Sequence, residues 1–275
     1  MPMLLSVIVP CYNESSTISA TIDALEMLRL RLESAGIALE IVAVDDGSTD
    51  DTLAQLRQRA AGTPHLVVHA HQANSGKGST ILSAARIVKG DIVLIQDADL
   101  EYDPQDIPAL IAPIVDGYAD AVIGTRFGGA GAHRVLYFWH RVGNGVLTLL
   151  SNMLTDLNVT DMESGYKAFS RDAFLTMRLT SRRFGIEPEI LARLSQMGAR
   201  IYEVPINYYG RTYAEGKKIT WRDGVAAIGH IFRAQLTARS QPRLPARRRG
   251  ARSLTPRSVR LLGLRAAEQE ISVTP

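Results

Sequence analysis

Along the first 123 residues, short β-branched apolar runs alternate with longer stretches whose apolar positions recur every three or four residues. Leu4 to Val9 is such a run, closed by Pro10, and reads as a buried parallel strand. Glu14 to Leu32 has helical spacing, with Ile18, Ile22, Leu25 and Leu28 on one side and Ser15, Ser16 or Thr17 available as a cap. The rhythm then repeats. Strands are predicted at Ile41–Val44, Leu66–His69, Asp91–Ile95 and Asp120–Ile123, and helices at Thr52–Ala61, Ser79–Val88 and Pro104–Val115. This alternation predicts an α/β fold, a mostly parallel, Rossmann-like sheet with helices on both faces.

Beyond Arg134 the pattern is less regular. Leu136–Leu154 carries an apolar stripe and reads as one helix or two. Asp161–Phe169 reads as a loop entering a strand, Glu187–Met197 as a helix and Ile201–Val204 as a strand. Tyr208–Lys218 is a polar loop and Ile219–Ala238 an amphipathic helix. Ser240–Ser258, rich in Arg, Pro and Gly, is expected to be disordered, and Val259–Glu270 to form a short, weakly held helix. The expected organisation is one domain over 1–238 and an Arg-rich tail over 239–275.

Composition adds limits. A chain of 275 residues with 46% hydrophobic content can bury one substantial core plus a tail. The single cysteine, Cys11, excludes an intrachain disulfide and any zinc site built on two or more cysteines. Met1–Pro10 lacks the basic start and apolar length of a signal peptide. No segment reaches about 18 uninterrupted apolar residues, so no membrane span is expected. The expected location is cytoplasmic, with peripheral contact at the inner face of the cell membrane. The net charge of +3 conceals an asymmetry. Gly224–Ala267 contains ten arginines and no Asp, Glu or Lys, and the rest of the chain holds 21 basic against 28 acidic residues. The basic character belongs to the tail and is not a nucleic-acid footprint on the folded domain.

In parallel sheets ligands sit beyond the carboxyl ends of the strands. Four polar clusters follow predicted strands here: Tyr12-Asn13-Glu14, Asp45-Asp46-Gly47-Ser48, Asp97-Ala98-Asp99 and Gly124-Thr125-Arg126. They are expected to converge on one edge. Asp97 and Asp99 repel each other unless a cation intervenes, and Mg2+ or Mn2+ takes oxygen ligands of this kind and bridges to phosphates. Glu101 is a further candidate ligand. A solvated acidic turn fits the spacing equally well, and a nucleophilic aspartate is a weaker alternative. Asp45–Asp50 fits a helix-capping turn, with Ser48 or Thr49 as cap, or a site where one carboxylate meets a base N–H. Asn74–Ser79 is not a P-loop, because His71 and Gly78 stand where glycine and Ser/Thr are required. A glycine-rich turn feeding a helix remains. The six histidines show no metal-ligand spacing, and His69 and His71 read as structural.

Taken together, the chain resembles family 2 glycosyltransferases of the GT-A fold, and within them the dolichol-phosphate (polyprenol-phosphate) mannosyl- and glucosyltransferases. The resemblance rests on SVIVPCYNE (6–14), IVAVDDGSTDDT (41–52), NSGKG (74–78), GDIVLIQDADLEYDP (90–104), AVIGTRF (121–127), DMESGYKAF (161–169) and YYGRTYAEGKK (208–218), in one consistent order. It implies that Pro10, Tyr12 and Glu14 hold the nucleoside, that Asp46 faces the base with Asp45 beside it, and that Lys77, Asp97 and Ala98 join the donor site. It implies a divalent metal, Mg2+ or Mn2+, at Asp97 and Asp99, with Glu101 standing where many relatives have Gln. Arg126 matches an arginine near the acceptor phosphate, and Arg211 and Lys217 a basic pair over the diphosphate. The chain departs from the family pattern at Ala214-Glu215-Gly216-Lys217, where a serine is lost, and at Asp161-Met162-Glu163-Ser164-Gly165-Tyr166.

The expected reaction moves a hexose from a UDP- or GDP-sugar with inversion. Charge developing on the leaving diphosphate is stabilised by the metal, Arg211 and Lys217. A polyprenyl phosphate acceptor is already an anion and needs only orienting cations, with Arg126 and Arg141 as candidates. An alcohol acceptor needs a base, for which Asp161 is the candidate. The arginine tail is expected either to meet anionic headgroups or to be a solvated extension. Two competing classes are a non-catalytic nucleotide-sugar-binding module, opposed by the intact Asp97, Asp99, Arg211 and Lys217, and a nucleotidyltransferase, opposed by Cys11–Glu14 standing where a glycine-rich loop is required.

Overall fold

The computed structural model describes residues 3–128, 134–135, 137–183, 185–211, 221–238 and 241–245, with side chains from 226 onward in the last helix. Seven strands form one sheet: β1 (Met3–Cys11), β2 (Ile37–Asp45), β3 (Leu66–Ala70), β4 (Ile92–Ile95), β5 (Ala121–Thr125), β6 (Lys167–Ser170) and β7 (Ile201–Pro205). Their order across the sheet is β3-β2-β1-β4-β6-β5-β7. Pairing is parallel except that β6 runs antiparallel to both β4 and β5. The helices are α1 (Ile18–Ser34), α2 (Thr52–Gly62), α3 (Lys77–Ala84), α4 (Ile107–Val115), α5 (Phe138–Thr155), α6 (Arg171–Thr176), α7 (Ile186–Met197) and α8 (Trp221–Ala238).

Period-two alternation puts the two sides of each central strand into separate cores. Leu5, Val7 and Val9 of β1 join Ile22, Leu25 and Leu28 of α1 on one face. Ile8 of β1, Val42 and Val44 of β2 and Ile95 of β4 pack on the other face with Ile190 and Leu194 of α7. This is the expected α/β architecture with helices on both faces.

The elements differ from the sequence reading at their ends and in β6. Residues 14–17 form a turn in which Thr17 and Ile18 both donate to the Glu14 carbonyl at 3.0 and 2.8 Å, so α1 starts at Ile18 rather than Glu14. Thr17 occupies the cap position without a side-chain capping bond. The cap of α2 is Asp51, not Ser48 or Thr49, and the preceding Asp50 carboxylate accepts from the Thr52 amide at 3.0 Å. The helix α3 starts at Lys77, two residues before the predicted Ser79, because the turn ahead of it is closed by Gly76 at φ +94°. The helix α6 was not predicted. It begins where Ser170 caps the Ala173 amide at 3.3 Å. The predicted helix at 259–270 and most of the Arg-rich tail lie outside the described residues.

Since β6 is antiparallel to β4 and β5, those two strands point the same way, as do β1 and β2. Their carboxyl ends, and the polar clusters that follow them, therefore lie along one edge.

Candidate active site

The loops after β1 and β2 are laced together. Asn13, in the left-handed region at φ 53°, donates its amide to Ser48 Oγ at 3.0 Å and accepts from the Thr49 amide at 2.8 Å. The Glu14 amide donates to Thr52 Oγ1 at 2.9 Å. Tyr12 is left exposed between them.

Asp45 and Asp46 have different occupations. Asp46 accepts from the Ser75 and Gly76 amides at 3.0 and 2.7 Å and pairs with His71 Nδ1 at 2.8 Å. His71 Nε2 reaches Ser83 Oγ at 2.8 Å, so this histidine is structural, as expected. The Asp46 carboxylate thus fastens the 74–78 turn to β2. Asp45 is fully buried, with one oxygen accepting from the Ser48 amide at 3.1 Å and the other, Oδ1, without a partner. Asp45 Oδ1 is the unpartnered oxygen of the pair, but it is sealed from solvent, whereas the Asp46 carboxylate is engaged by Ser75, Gly76 and His71. The 74–78 turn is a packing device, because a Cβ on Gly78 would lie 2.0 Å from the Ser181 carbonyl oxygen.

The acidic cluster after β4 is bracketed by two cations. Lys77 Nζ lies 2.7 Å from Asp97 Oδ1 and 3.1 Å from Glu187 Oε1. Burial works against its charge, yet Asp97 and Glu187 hold its pKa above the ordinary lysine range. Arg211 Nη2 lies 2.8 Å from Asp99 Oδ2. The Asp99 carboxyl is pushed up to about 7, by burial first and then by Asp97 and Glu101, with Arg211 opposing. Ala98, between the carboxylates, is buried, and its carbonyl accepts from Thr21 Oγ1 at 3.1 Å. Glu101, a candidate metal ligand, is otherwise engaged. One of its oxygens accepts from the Arg211 amide and Nε at 2.9 and 3.2 Å, the other from the Tyr208 hydroxyl at 2.8 Å. It positions Arg211. Gly165 forms the floor of the cluster, where a Cβ would lie 2.2 Å from Asp97 Oδ2.

Across the site, Arg126 and Asp161 form a forked ion pair. Arg126 Nε and Nη2 each lie 2.6 Å from a different Asp161 oxygen. The Arg126 amide adds a bond at 3.1 Å and Asn144 Nδ2 one at 3.2 Å. Asp161 is fully buried. With four donors on its two oxygens it has little capacity left to accept a proton from an acceptor, contrary to the base expected for an alcohol. The Arg126 guanidinium also stacks over Tyr208 at 5.1 Å, and Arg141 over Phe127 at 3.4 Å. Beneath the site, Lys167 Nζ donates to the Met162 carbonyl at 3.3 Å, and one buried Glu163 oxygen has no partner.

The structure therefore brings Asp97, Asp99, Glu101, Lys77 and Arg211 into one contact network, and Arg126, Asp161 and Asn144 into a second. The two are joined through Tyr208. Lys217 lies outside the described residues. Sequence reasoning missed Glu187, Tyr208, Asn144 and Gly165 as site components. Among the described residues no three His, Cys, Asp or Glu side chains form a ready-made metal cage.

A β4-end carboxylate pair flanked by cations on a GT-A sheet defines a class of sugar-transferring enzyme, and comparisons with known proteins agree. The model of Glycosyl transferase family 2 matches residues 6–177. Glycosyltransferase AglJ of Haloferax volcanii is 34% identical over 240 residues, covering 86% of this chain and 73% of that protein. Undecaprenyl-phosphate mannosyltransferase of Micrococcus luteus is 28% identical over 238 residues, covering 84% of this chain and 94% of that protein. Among solved structures, glucosyl-3-phosphoglycerate synthase from Mycobacterium tuberculosis, in complex with Mn2+, UDP and phosphoglyceric acid, superposes with a TM-score of 0.66 at 23% identity, covering 87% of this chain and 80% of that one. The chain belongs to glycosyl transferase family 2 and is a glycosyltransferase of the nucleotide-sugar-using type.

Proposed function

We propose that this enzyme transfers a hexose from a UDP- or GDP-sugar, with inversion, to a polyprenyl phosphate of the dolichyl or undecaprenyl type. The observation that carries the reading is Arg126: a half-buried cation locked by Asp161 beside the donor cluster, where the neighbouring carboxylate is already saturated. An anionic acceptor needs such a cation and needs no base. The similarity to the undecaprenyl-phosphate mannosyltransferase of Micrococcus luteus supports the same acceptor class.

The chain's residues would work as follows. Tyr12, Pro10 and Glu14 border the nucleoside, with Asp46 and Asp45 on the side of the base. Asp97 and Asp99 fit a divalent ion, Mg2+ or Mn2+: two carboxylates, that of Asp99 pushed up to about 7 by burial and then by its acidic neighbours Asp97 and Glu101, are the oxygen donors such an ion takes with substrate phosphates. When bound, the ion neutralises charge on the diphosphate. Arg211, held by Glu101, meets the charge that develops on the leaving diphosphate, and Lys217 is proposed to join it. Lys77 keeps Asp97 oriented. Arg126, with Arg141 near it, holds the acceptor phosphate in line with the sugar carbon. Residues 1–238 are proposed as the catalytic unit and the Arg-rich 239–275 as a membrane-directed extension, which would place the enzyme on the cytoplasmic face of a membrane.

The test is a transfer assay with UDP-glucose and GDP-mannose against undecaprenyl phosphate, with Mn2+, Mg2+ or EDTA. Label appearing in the lipid phase with one donor, and only with metal, is expected. Transfer solely to a water-soluble hydroxyl acceptor would replace this reading with its alternative.

A further inference from the structure

The helix α5 carries large apolar side chains on its outward side as well as on the side that meets the core. Its buried positions are Thr148, Ser151 and Thr155. Leu147, Leu150 and Leu154 pack against the core, whereas Phe138, Trp139, Val146, Leu149 and Met153 face solvent, with Trp139 77% and Met153 73% exposed. At the helical repeat these five fall within an arc of about 100°. The neighbouring α8, whose Gln235 Nε2 donates to the Leu154 carbonyl at 2.6 Å, leaves Ile228, Phe232 and Leu236 exposed as well. An apolar stripe of this length on a soluble face marks an interaction surface.

Charge identifies the occupant. No acidic residue lies between Asp120 and Asp156, where Arg126, Arg134 and Arg141 stand, and none lies between Asp223 and Glu268, which holds ten arginines. All of α5, and α8 beyond Asp223 in its first turn, thus come from acid-free stretches of a chain that carries 28 acidic residues. A second copy of the chain is disfavoured, since an isologous contact would set this mainly cationic face against itself, with carboxylates only at the helix ends, Asp156 and Asp223. A bilayer with anionic headgroups matches both the apolar arc and the cations around it. Phe138 and Trp139 stand beside Arg141 at the start of the helix, the aromatic–cation pairing favoured at headgroup level. Among the described residues no helix is long and apolar enough to cross a membrane, so α5 would lie in the plane of the interface.

We propose that the outward face of α5, continued by α8, is a docking surface for an anionic lipid bilayer. Arg126 Nη2 lies 3.5 Å from Asn144 Oδ1 on α5, so docking places the Arg126 end of the active site at headgroup depth. The proposal goes beyond the acceptor assignment and does not rest on it.

The test is co-sedimentation of the full chain with phosphatidylglycerol–phosphatidylcholine vesicles, roughly 1:2, that contain no polyprenyl phosphate, so the result is independent of the acceptor. The wild type is expected to bind them and to bind pure phosphatidylcholine vesicles more weakly. The triple variant Trp139→Ser, Leu149→Ser, Met153→Ser is expected to bind roughly ten-fold or more weakly with an unchanged Tm. Spin-labelled lipid should quench Trp fluorescence on binding, and Trp139→Phe should lose most of that quenching. Wild-type-like binding by the triple variant would assign any membrane contact to the arginine tail alone and overturn the proposal. So would an absence of wild-type binding, unquenched Trp139, or a dimer in light scattering that the triple variant splits without any change in vesicle binding.

Discussion

Arg126 and Asp161 hold each other through two 2.6 Å bonds, and Asp161 is sealed from solvent behind that contact. The pair presents one face of the guanidinium to the site while the carboxylate stays behind it. Removing one member of a buried pair typically costs about 3–5 kcal/mol, because the other charge is left without a partner. Asp161→Asn should therefore lower Tm, raise the KM for a polyprenyl phosphate by roughly ten-fold, and leave the shape of the pH–kcat profile unchanged. A base would behave differently. Its loss would reduce kcat by about 10² or more and erase the acid limb of the profile. Steady-state kinetics across pH, with wild type and variant side by side, separate the two outcomes.

Gly165 sets where Asp97 can stand. A methyl group there would overlap Asp97 Oδ2, at 2.2 Å, and also press Tyr102 at 3.0 Å. The Asp97 side chain is partly exposed and can move, so Gly165→Ala should fold but swing the carboxylate away from Lys77. The expected result is loss of the Mn2+-dependent thermal shift with UDP or GDP, and transfer reduced by about 10²-fold, close to that of Asp97→Asn. A Gly165→Ala enzyme with normal metal dependence would show that this contact does not set the site.

Arg211 bonds Asp99 directly through Nη2, while Glu101 fixes its backbone and Nε. Glu101→Gln keeps one acceptor oxygen but removes the charge. It should release Arg211, lower kcat/KM by about ten-fold, and leave the affinity for Mn2+ unchanged, because Glu101 has no free oxygen for the ion. Arg211→Lys should do no better, since a point charge cannot reproduce the fork. If Glu101→Gln instead weakened Mn2+ in a metal titration, Glu101 would be a ligand after all.

Much of this site was legible because parallel strands announce themselves as apolar runs, and the residues just beyond them must share an edge. Asp97, Asp99, Asp45 and Arg126 were found that way. β6 was harder: it is four residues long, contains Lys167, and its reversed direction leaves no local trace. Glu187 and Tyr208 enter through contacts about a hundred residues away along the chain, for which no spacing rule exists. The Asp45–Asp46 order was read from resemblance, and only the hydrogen bonds of His71, Ser75 and Gly76 reveal which carboxylate is already engaged. For α5 the apolar stripe identified the helix but not which way it faces. A periodic pattern defines a face, and tertiary packing decides whether the core lies on it.

Glu163 offers a test of the buried charge beneath the site. Its carboxyl is pushed up to about 7, by burial first and then by Glu187, while Lys167 and Arg126 pull the other way. In the unfolded chain it titrates near the ordinary glutamate value of about 4.3. The folded state therefore binds this proton more tightly, and the sign follows: stability associated with the group is full below about 4.3 and is lost as pH rises toward 7. Above 7 the native protein carries the whole cost of a buried, unsatisfied anion. Glu163→Gln removes the titration and keeps the shape. Its Tm should match the wild type near pH 4.5, rise above it progressively through pH 5 to 7, and remain higher by roughly 2 °C or more at pH 8. Titrating groups away from Glu163 contribute equally to both proteins, so the difference between the two curves reports Glu163 together with the charges that face it, Glu187 and Lys167 foremost. A Tm difference that stays constant from pH 5 to 8 would mean that the carboxyl ionises normally, with a partner found in solution for its open oxygen.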